Sequence, residues 1–177
     1  RISRNPERLL EFIVEHQDVI IKPLDGMGGQ SIFRVKAGDT NTNVILETVT
    51  RRGTSQTMVQ RYIPEITDGD KRILMINGEP VPYALARIPA KGENRGNIAA
   101  GASTRGQPLS QRDHWLCQQI GPKLRENGLI FVVLDANADD VTEINVTSPP
   151  CIRELDTQCT LTISAFLFNC VEQVIDA

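Results

Sequence analysis

The hairpin predicted at residues 129–146 has the sequence LIFVVLDANADDVTEINV. Its apolar opening predicts a buried strand that ends at Asp135. The polar residues 137–140 predict a turn, and residues 141–146 predict the returning strand. Glu143 and Asn145 are two positions apart on that strand, so both side chains point to one face. The connection is short enough to bring Asp135 across to the same face.

Asp135, Glu143 and Asn145 would then form a converging set of oxygen ligands. Such a set suits Mg²⁺, a hard cation that keeps several waters and shares phosphate oxygens with its nucleotide. Two carboxylates that face each other repel unless a cation lies between them. The spacing alone leaves a second interpretation open, in which these residues form a polar strand face exposed to water.

A second hairpin is predicted at residues 71–87, where Asn77-Gly78 joins two runs of strand-forming residues. Arg72, Arg87 and Arg95 lie in or beside this hairpin. A guanidinium group can bind a carboxylate through two parallel hydrogen bonds, so these arginines are candidates for binding an acidic substrate. The alternative for each is an ordinary solvent-exposed position.

A glycine-rich loop at residues 25–29 lies between predicted strands at residues 19–23 and 31–35, with Lys22 just before it. Glycines let backbone N–H groups approach phosphate oxygens closely, and the lysine adds a positive charge. The loop matches neither the GxxxxGK[ST] nor the GxGxxG pattern. A phosphate site is one interpretation, and a glycine-rich hairpin that binds nothing is the other.

The rest of the chain predicts helices flanking these strands. The predicted helices cover residues 6–17, 43–52, 110–127 and 160–175, and a further strand covers residues 57–62. Gly121-Pro122 predicts a kink or break in the third helix. The glycine-containing residues 89–106 predict a long loop of the kind that acts as a lid. Together these elements predict an α+β fold with mostly antiparallel pairing.

Composition excludes some classes of function. The chain has 177 residues and a net charge of −3, which argues against a broad nucleic-acid surface. Its longest apolar run, residues 129–134, is far shorter than the roughly 20 residues of a membrane helix. No secretion leader is visible, and the four scattered cysteines fit a reducing cytoplasm. Residue 1 is Arg rather than Met, so we expect a fragment of a longer protein.

Three stretches resemble a known family. They are IIKPLDGMGGQSIFRV (residues 20–35), DGDKRILMINGEPVPYALARIPAKGENRGNIAAG (68–101) and LDANADDVTEINVTSPPCIRE (134–154). In this order they are similar to the ATP-grasp domain of bacterial glutathione synthetase, and the similarity weakens toward the last 20 residues. The resemblance implies an ATP-grasp fold in which ATP lies between two lobes of antiparallel sheet with flanking helices. Residues 18–66 would form the smaller lobe over the nucleotide, and residues 67–177 the lobe that binds metal and substrate.

The resemblance also implies an activity. Glutathione would be made from γ-glutamylcysteine and glycine, with ATP and Mg²⁺ (or Mn²⁺) as cofactors, through an acyl phosphate that the glycine amine attacks. Such an enzyme would be cytoplasmic and a homo-oligomer, expected to be a tetramer, with no nucleic-acid or membrane partner. Phosphoryl transfer depends mainly on positioning and charge neutralisation, which suits lysine, arginine and a divalent cation.

Residue roles follow from the same resemblance. The residues expected to bind the nucleotide are Lys22, Gly26, Gly28, Gly29, Gln60, Arg61, Tyr62, Ile63 and Asp70. Asp135, Glu143 and Asn145 are expected to bind the metal. Catalytic positioning falls to Arg72, Arg87 and Arg95, and substrate binding to Arg87, Arg95 and Ser148.

Two features depart from the family pattern: Arg61 replaces a smaller polar residue, and the turn at residues 136–140 is unusually polar. The family's amino-terminal domain and a further nucleotide-binding lysine would lie before residue 1, so we expect the isolated 177 residues to bind ATP weakly and to be poorly active or inactive. Two alternatives stay open. One is another ATP-grasp carboxylate–amine ligase, and the other is a noncatalytic nucleotide-binding module.

Overall fold

A computed structural model of the chain describes residues 1–25, 29–90, 101–146 and 150–176, with residues 67 and 68 described by their backbone only. These residues form two antiparallel sheets flanked by helices. The elements are β1 (Ile2–Ser3), α1 (Pro6–His16), β2 (Asp18–Pro23), β3 (Phe33–Lys36), α2 (Thr42–Val49), β4 (Thr57–Arg61), a 3₁₀ turn (Pro64–Asp68), β5 (Asp70–Ile76), β6 (Glu79–Ile88), β7 (Ser103–Pro108), α3 (Gln111–Glu126), β8 (Phe131–Asn137), β9 (Asp140–Asn145), α4 (Ile152–Cys159) and α5 (Ile163–Ile175). None of the helices in these ranges is both long and apolar enough to span a bilayer.

The first sheet has the strand order β1-β4-β2-β3 and packs against α1 and α2. Asn5 caps α1 by accepting hydrogen bonds from the backbone N–H groups of Glu7 and Arg8. Leu9 and Ile13, one helical turn apart, are fully buried against the sheet. The hairpin predicted on either side of the glycine loop is confirmed, because β2 and β3 pair antiparallel.

The second sheet has the order β7-β6-β5-β8-β9 and carries an apolar layer on each face. Alternation along β5 sends Ile73 and Met75 toward α3, and Leu74 and Ile76 toward α4 and α5. The predicted turn at Asn77-Gly78 is confirmed, with Gly78 at a φ of +75°. Both long predicted hairpins therefore lie side by side in one sheet.

Of the predicted kink or break in the third helix, the break is wrong, because α3 runs without interruption through Pro122. Ser110 and Asp113 form a capping box at its start, and Lys71 of β5 pairs with Asp113. Gly121 lies so close to Gly78 that a Cβ on either glycine would collide with the other's carbonyl oxygen. Helix α3 therefore packs against the β5–β6 turn right beside Pro122, the residue that lacks a backbone donor.

The loop predicted at residues 89–106 is also partly wrong. Residues from Ser103 onward form β7, which pairs along β6 as an edge strand. Gln158 of α4 accepts a hydrogen bond of 2.6 Å from the Gly106 backbone N–H and covers that edge. Residues 91–100 of the predicted lid lie outside the described residues. The sequence prediction also missed β1, the 3₁₀ turn and α4, and it began the last helix at residue 160 instead of Ile163.

Candidate functional site

Charged side chains from four neighbouring strands share one face of the second sheet. Asp70 of β5 lies opposite Arg87 of β6, and Arg72 of β5 lies opposite Asp135 of β8. Asp135 in turn lies opposite Glu143 of β9. Because residues directly opposite each other in an antiparallel sheet point to the same face, the pairing register alone gathers all five.

Asp135 is the centre of a buried ionic cluster. Arg72 donates to its carboxylate in a bidentate pair, with Nε–Oδ1 and Nη2–Oδ2 distances of 2.8 and 2.7 Å. Arg87 Nη2 is 2.9 Å from the same Oδ2 and also contacts Asp70. Side-chain exposure is 10% or less for all four residues. Two positive and two negative groups compensate each other here, as buried charges require.

Burial sets the protonation behaviour of this cluster. Burial, with help from the Asp135 charge, raises the pKa of Asp70 to about 7, although Arg87 opposes that rise. For Arg72, burial lowers the pKa but the hydrogen bond and charge of Asp135 outweigh it, so its pKa lies above the usual range. Among the described residues, Asp70 Oδ1 and Arg87 Nε are buried without a hydrogen-bond partner. The cluster is therefore charged but incompletely satisfied.

The three candidate metal ligands lie side by side. Asn145 Nδ2 is 3.5 Å from Asp135 Oδ2, and Glu143 lies on the partner strand directly opposite Asp135. Glu143 is half exposed, whereas Asp135 is buried. In the described part of the chain no group of three His, Cys, Asp or Glu side chains could hold a metal ion. The candidate set has two carboxylates, and its third member is the Asn145 amide.

This donor set fits Mg²⁺ or Mn²⁺. Carboxylate and amide oxygens are the ligands these hard cations take, and the buried Asp135 oxygens already face positive charge. The guanidinium groups of Arg72 and Arg87 supply that charge in the structure. A divalent cation on Asp135 would take over part of their role.

The two sheets meet at this cluster through β2 and β4. Lys22 Nζ is 3.6 Å from Glu143 Oε2 and donates to the Thr142 carbonyl at 3.4 Å. Gln60 Nε2 donates to the same carbonyl at 3.2 Å. The candidate phosphate-binding lysine and the candidate metal ligands therefore lie on the same side of the molecule, in contact with each other.

The other candidate nucleotide residues of the first sheet follow β4. Tyr62 donates its backbone N–H to the Asp18 carbonyl at 2.9 Å. Its ring lies under the Arg34 guanidinium, whose carbon is 3.5 Å from the ring centroid, and Arg34 forms a bidentate pair with Asp18. These contacts fix the backbone just before Ile63, the residue that precedes the 3₁₀ turn.

The two sequence features that depart from the resembled family face each other. Arg61 at the end of β4 has its Nη2 3.6 Å from Asp140 Oδ2 at the start of β9. Both side chains are more than half exposed. The pair joins the first sheet to the second just beside the Thr142 contacts.

Gly26, Gly28, Arg95 and Ser148 lie outside the described residues. Gly29 is described and is buried, with a φ of +77° that favours glycine.

Sequence reasoning missed two residues that contact the cluster. Cys151 Sγ lies 3.9 Å from Arg72 Nη1, and burial raises the pKa of this thiol despite the nearby guanidinium. Thr142 bonds to both sheets. The sequence does contain a signal for Thr142. A two-residue turn at residues 138–139 would pair Asp135 with Thr142. Asp135 and Glu143 can therefore share a face only if β9 contains one extra residue.

The comparisons with known proteins agree on one family. The model of the prokaryotic glutathione synthetase ATP-grasp domain matches residues 1–160. The glutathione synthetase of Pseudomonas aeruginosa is 64% identical over 155 residues, which cover 88% of this chain and 49% of that protein. For the glutathione synthetase of Escherichia coli K12, identity is 54% over 171 residues, with 97% and 54% covered. The chain spans about half the length of the curated relatives it matches.

Solved structures show the fold. An ATP-grasp ligase, PsnB, complexed with minimal precursor, Mg and ADP, has a TM-score of 0.66 at 19% identity, covering 98% of this chain and 52% of that one. The D-alanine–D-alanine ligase from Bacillus anthracis has a TM-score of 0.58 at 14% identity, covering 94% and 56%. The predicted α+β ATP-grasp fold, with two antiparallel sheets and flanking helices, is confirmed.

Proposed function

This chain belongs to the prokaryotic glutathione synthetase ATP-grasp domain family, and from that premise we propose that the full-length protein ligates γ-glutamylcysteine to glycine. ATP would become ADP and phosphate, and the acid would react through an acyl phosphate. The observation that carries the proposal is the contact between Lys22 and Glu143, which joins the glycine-loop strand to the carboxylate pair across the two sheets.

Asp135, Glu143 and Asn145 would hold Mg²⁺, with Mn²⁺ as a substitute. The cation supplies charge neutralisation for the phosphate groups when it is bound. Lys22 would contact the phosphates together with the loop at residues 25–29. Its side chain is 15% exposed, so its charge acts through little intervening water.

Arg72 and Arg87 would orient the acid substrate. Both project from the sheet face that carries Asp135, and their guanidinium groups are already oriented by the pairing register. A bidentate guanidinium matches a carboxylate or phosphate in shape and charge. Arg95 and Ser148 would complete the substrate site, Asp70 would contact the ribose, and Gln60 to Ile63 would line the adenine pocket.

The two sheets support a division of labour. Residues 18–66 would cover the nucleotide, and residues 67–177 would hold the metal and substrate. For the full-length protein we propose a cytoplasmic location and a homo-oligomer, a tetramer by family resemblance.

ADP release tests the proposal. The full-length protein should release ADP when γ-glutamylcysteine, glycine, ATP and Mg²⁺ are all present, and much more slowly when either amino-acid substrate is omitted. Failure of γ-glutamylcysteine where another acid succeeds would point to a different ATP-grasp ligase.

Calorimetry tests the metal assignment. Magnesium-dependent ATP binding should be lost in Asp135→Ala/Glu143→Ala. The matched control is Glu47→Ala/Glu126→Ala, which removes two exposed carboxylates away from the cluster and should bind as the wild type does. Equal ATP binding by both double variants would contradict the metal assignment and favour a noncatalytic module.

A further inference from the structure

The hairpin that carries the candidate metal ligands contains a β-bulge. Asp135 pairs with Glu143, but the next pair is Ala136 with Val141, so Thr142 is an extra residue without an opposite partner on β8. Bulges of this kind occur beside active sites, where they redirect side chains.

The bulge decides which face Glu143 occupies. If the register that starts at Asn137 and Asp140 continued unbroken, Glu143 would lie opposite Leu134. Leu134 belongs to the apolar layer under α3, on the other face of the sheet. A one-residue shift moves every following side chain to the opposite face. The extra residue therefore brings the two carboxylates together.

The Thr142 hydroxyl closes this bulge. Its Oγ1 donates to the backbone carbonyl of Asp135 at 3.1 Å, and the contact is partly buried. The bond ties β9 to β8 at the residue whose carboxylate is the centre of the ionic cluster. It replaces regular pairing at the point where the register shifts.

The Thr142 carbonyl faces the other sheet. It accepts from Lys22 Nζ at 3.4 Å and from Gln60 Nε2 at 3.2 Å. These donors come from neighbouring antiparallel strands, β2 and β4. One residue is thus bonded to the hairpin of the carboxylates and to both strands that carry candidate nucleotide-binding residues.

On the basis of the proposed function, we propose that Thr142 is a positioning residue of the ligase. Its hydroxyl fixes the register that sets Glu143 opposite Asp135. Its carbonyl sets Lys22 and Gln60 at a defined distance from that pair. Thr142 touches no reacting atom, and it couples cation binding on one sheet to nucleotide binding on the other.

The test compares Thr142→Val, Thr142→Ser and the control Thr48→Val in the full-length protein. Thr48 donates its hydroxyl to the Val44 carbonyl on an exposed helix surface. The measurements are Mn²⁺ binding by electron paramagnetic resonance with a nonhydrolysable ATP analogue, KM for ATP, and KM for γ-glutamylcysteine.

Loss of one hydrogen bond of ordinary strength predicts that Thr142→Val weakens Mn²⁺ binding and raises KM for ATP by about three- to tenfold. KM for γ-glutamylcysteine should change by less than about twofold, because Arg72 and Arg87 keep their register. Thr142→Ser, which keeps the hydroxyl, should recover both values to within about twofold, and Thr48→Val should match the wild type.

Thr142→Val behaving as the wild type would overturn the inference, as would equal impairment in Thr142→Ser or Thr48→Val. If the valine variant does not fold, Thr142→Ala takes its place in a double-mutant cycle with Gln60→Leu. Losses smaller than the product of the single effects support the inference, and independent losses contradict it. Mn²⁺ binding needs no turnover, so this result is separable from wild-type ADP release, on which the proposed ligase activity depends.

Discussion

On one face of the second sheet, the two ends of the central strands carry different kinds of side chain. At one end Leu74, Leu85 and Val133 pack under α4 and α5 in a dry apolar layer. At the other end the same strands carry the ionic cluster of Arg72, Asp135 and their neighbours. The apolar end stabilises the sheet through burial, whereas the ionic end encloses charges whose desolvation offsets much of their attraction. The difference shows where this sheet gains stability and where it holds chemistry.

The largest effect on stability should come from removing one partner of a buried ion pair at the ionic end. Arg72→Ala leaves the Asp135 carboxylate short of its bidentate partner, and breaking a buried pair typically lowers unfolding free energy by about 3–5 kcal/mol. Hydrogen exchange of β5 and β8 amides in the full-length protein measures this loss.

A matched double variant separates stability from function. Arg72→Met/Asp135→Leu makes the ionic end resemble the apolar end, so the unfolding free energy should return to within about 1 kcal/mol of the wild type. ADP release should stay lost in both variants. Recovery of activity in the double variant would mean that this pair holds neither cation nor substrate.

A slightly smaller effect is expected at the apolar end. Leu155 of α4 is fully buried against that layer, and Leu155→Ala should lower the unfolding free energy by about 3 kcal/mol through lost burial and a residual cavity. The KM for ATP should not change at temperatures where the variant is folded. A large rise in that KM would show that the two ends are coupled, contrary to the comparison.

The sequence predicts the two ends of the sheet unequally. Hairpin turns and strand alternation are local signals, so both hairpins and the polar set of Asp135, Glu143 and Asn145 could be predicted. Of the two helices that cover the apolar end, α5 was predicted but α4 was not. Helix α4 is only eight residues long and begins after Cys151 without a side-chain cap, and it packs through Leu155. Strand β7 was also missed, because it is polar and lies at the sheet edge, where it pairs with β6. Tertiary pairing overrides local propensity at both places.

The chemistry of the ionic end was predictable by residue type but not by contact. Arg72 and Arg87 were expected near a substrate, yet the structure has them on Asp135 itself. That contact depends on the register between β5 and β8, which are far apart in the chain. The sequence likewise gives no local indication of the bulge at Thr142, apart from the number of residues that separate Asp135 from Glu143.

The pH dependence of the unfolding free energy should distinguish the two ends further. Asp70 has a folded-state pKa near 7, above its ordinary value of 3.8, because burial and Asp135 disfavour its charge. A raised folded-state pKa means stability that is complete at low pH and lost as pH rises through about 7. Relative to Asp70→Asn, the wild type should lose unfolding free energy, on the order of 3 kcal/mol, between about pH 4 and 7.

Glu47→Gln, at an exposed carboxylate, serves as the control and should track the wild type across this range. Hydrogen exchange at several pH values, corrected for intrinsic rates, gives the comparison. A constant difference between the wild type and Asp70→Asn would mean that Arg87 keeps Asp70 ionised throughout.

The smallest effect belongs to the exposed pair Arg61 and Asp140, which joins the two sheets beside the partly buried Lys22 and Gln60 contacts. Because both side chains are more than half exposed, water and salt screen their attraction. A double-mutant cycle with Arg61→Ala and Asp140→Ala should give a coupling of about 0.2–1 kcal/mol in ATP binding that disappears near 0.5 M salt. A coupling that persists at high salt would assign this pair a direct role in holding the two sheets together, equal to that of the partly buried Lys22 and Gln60 contacts.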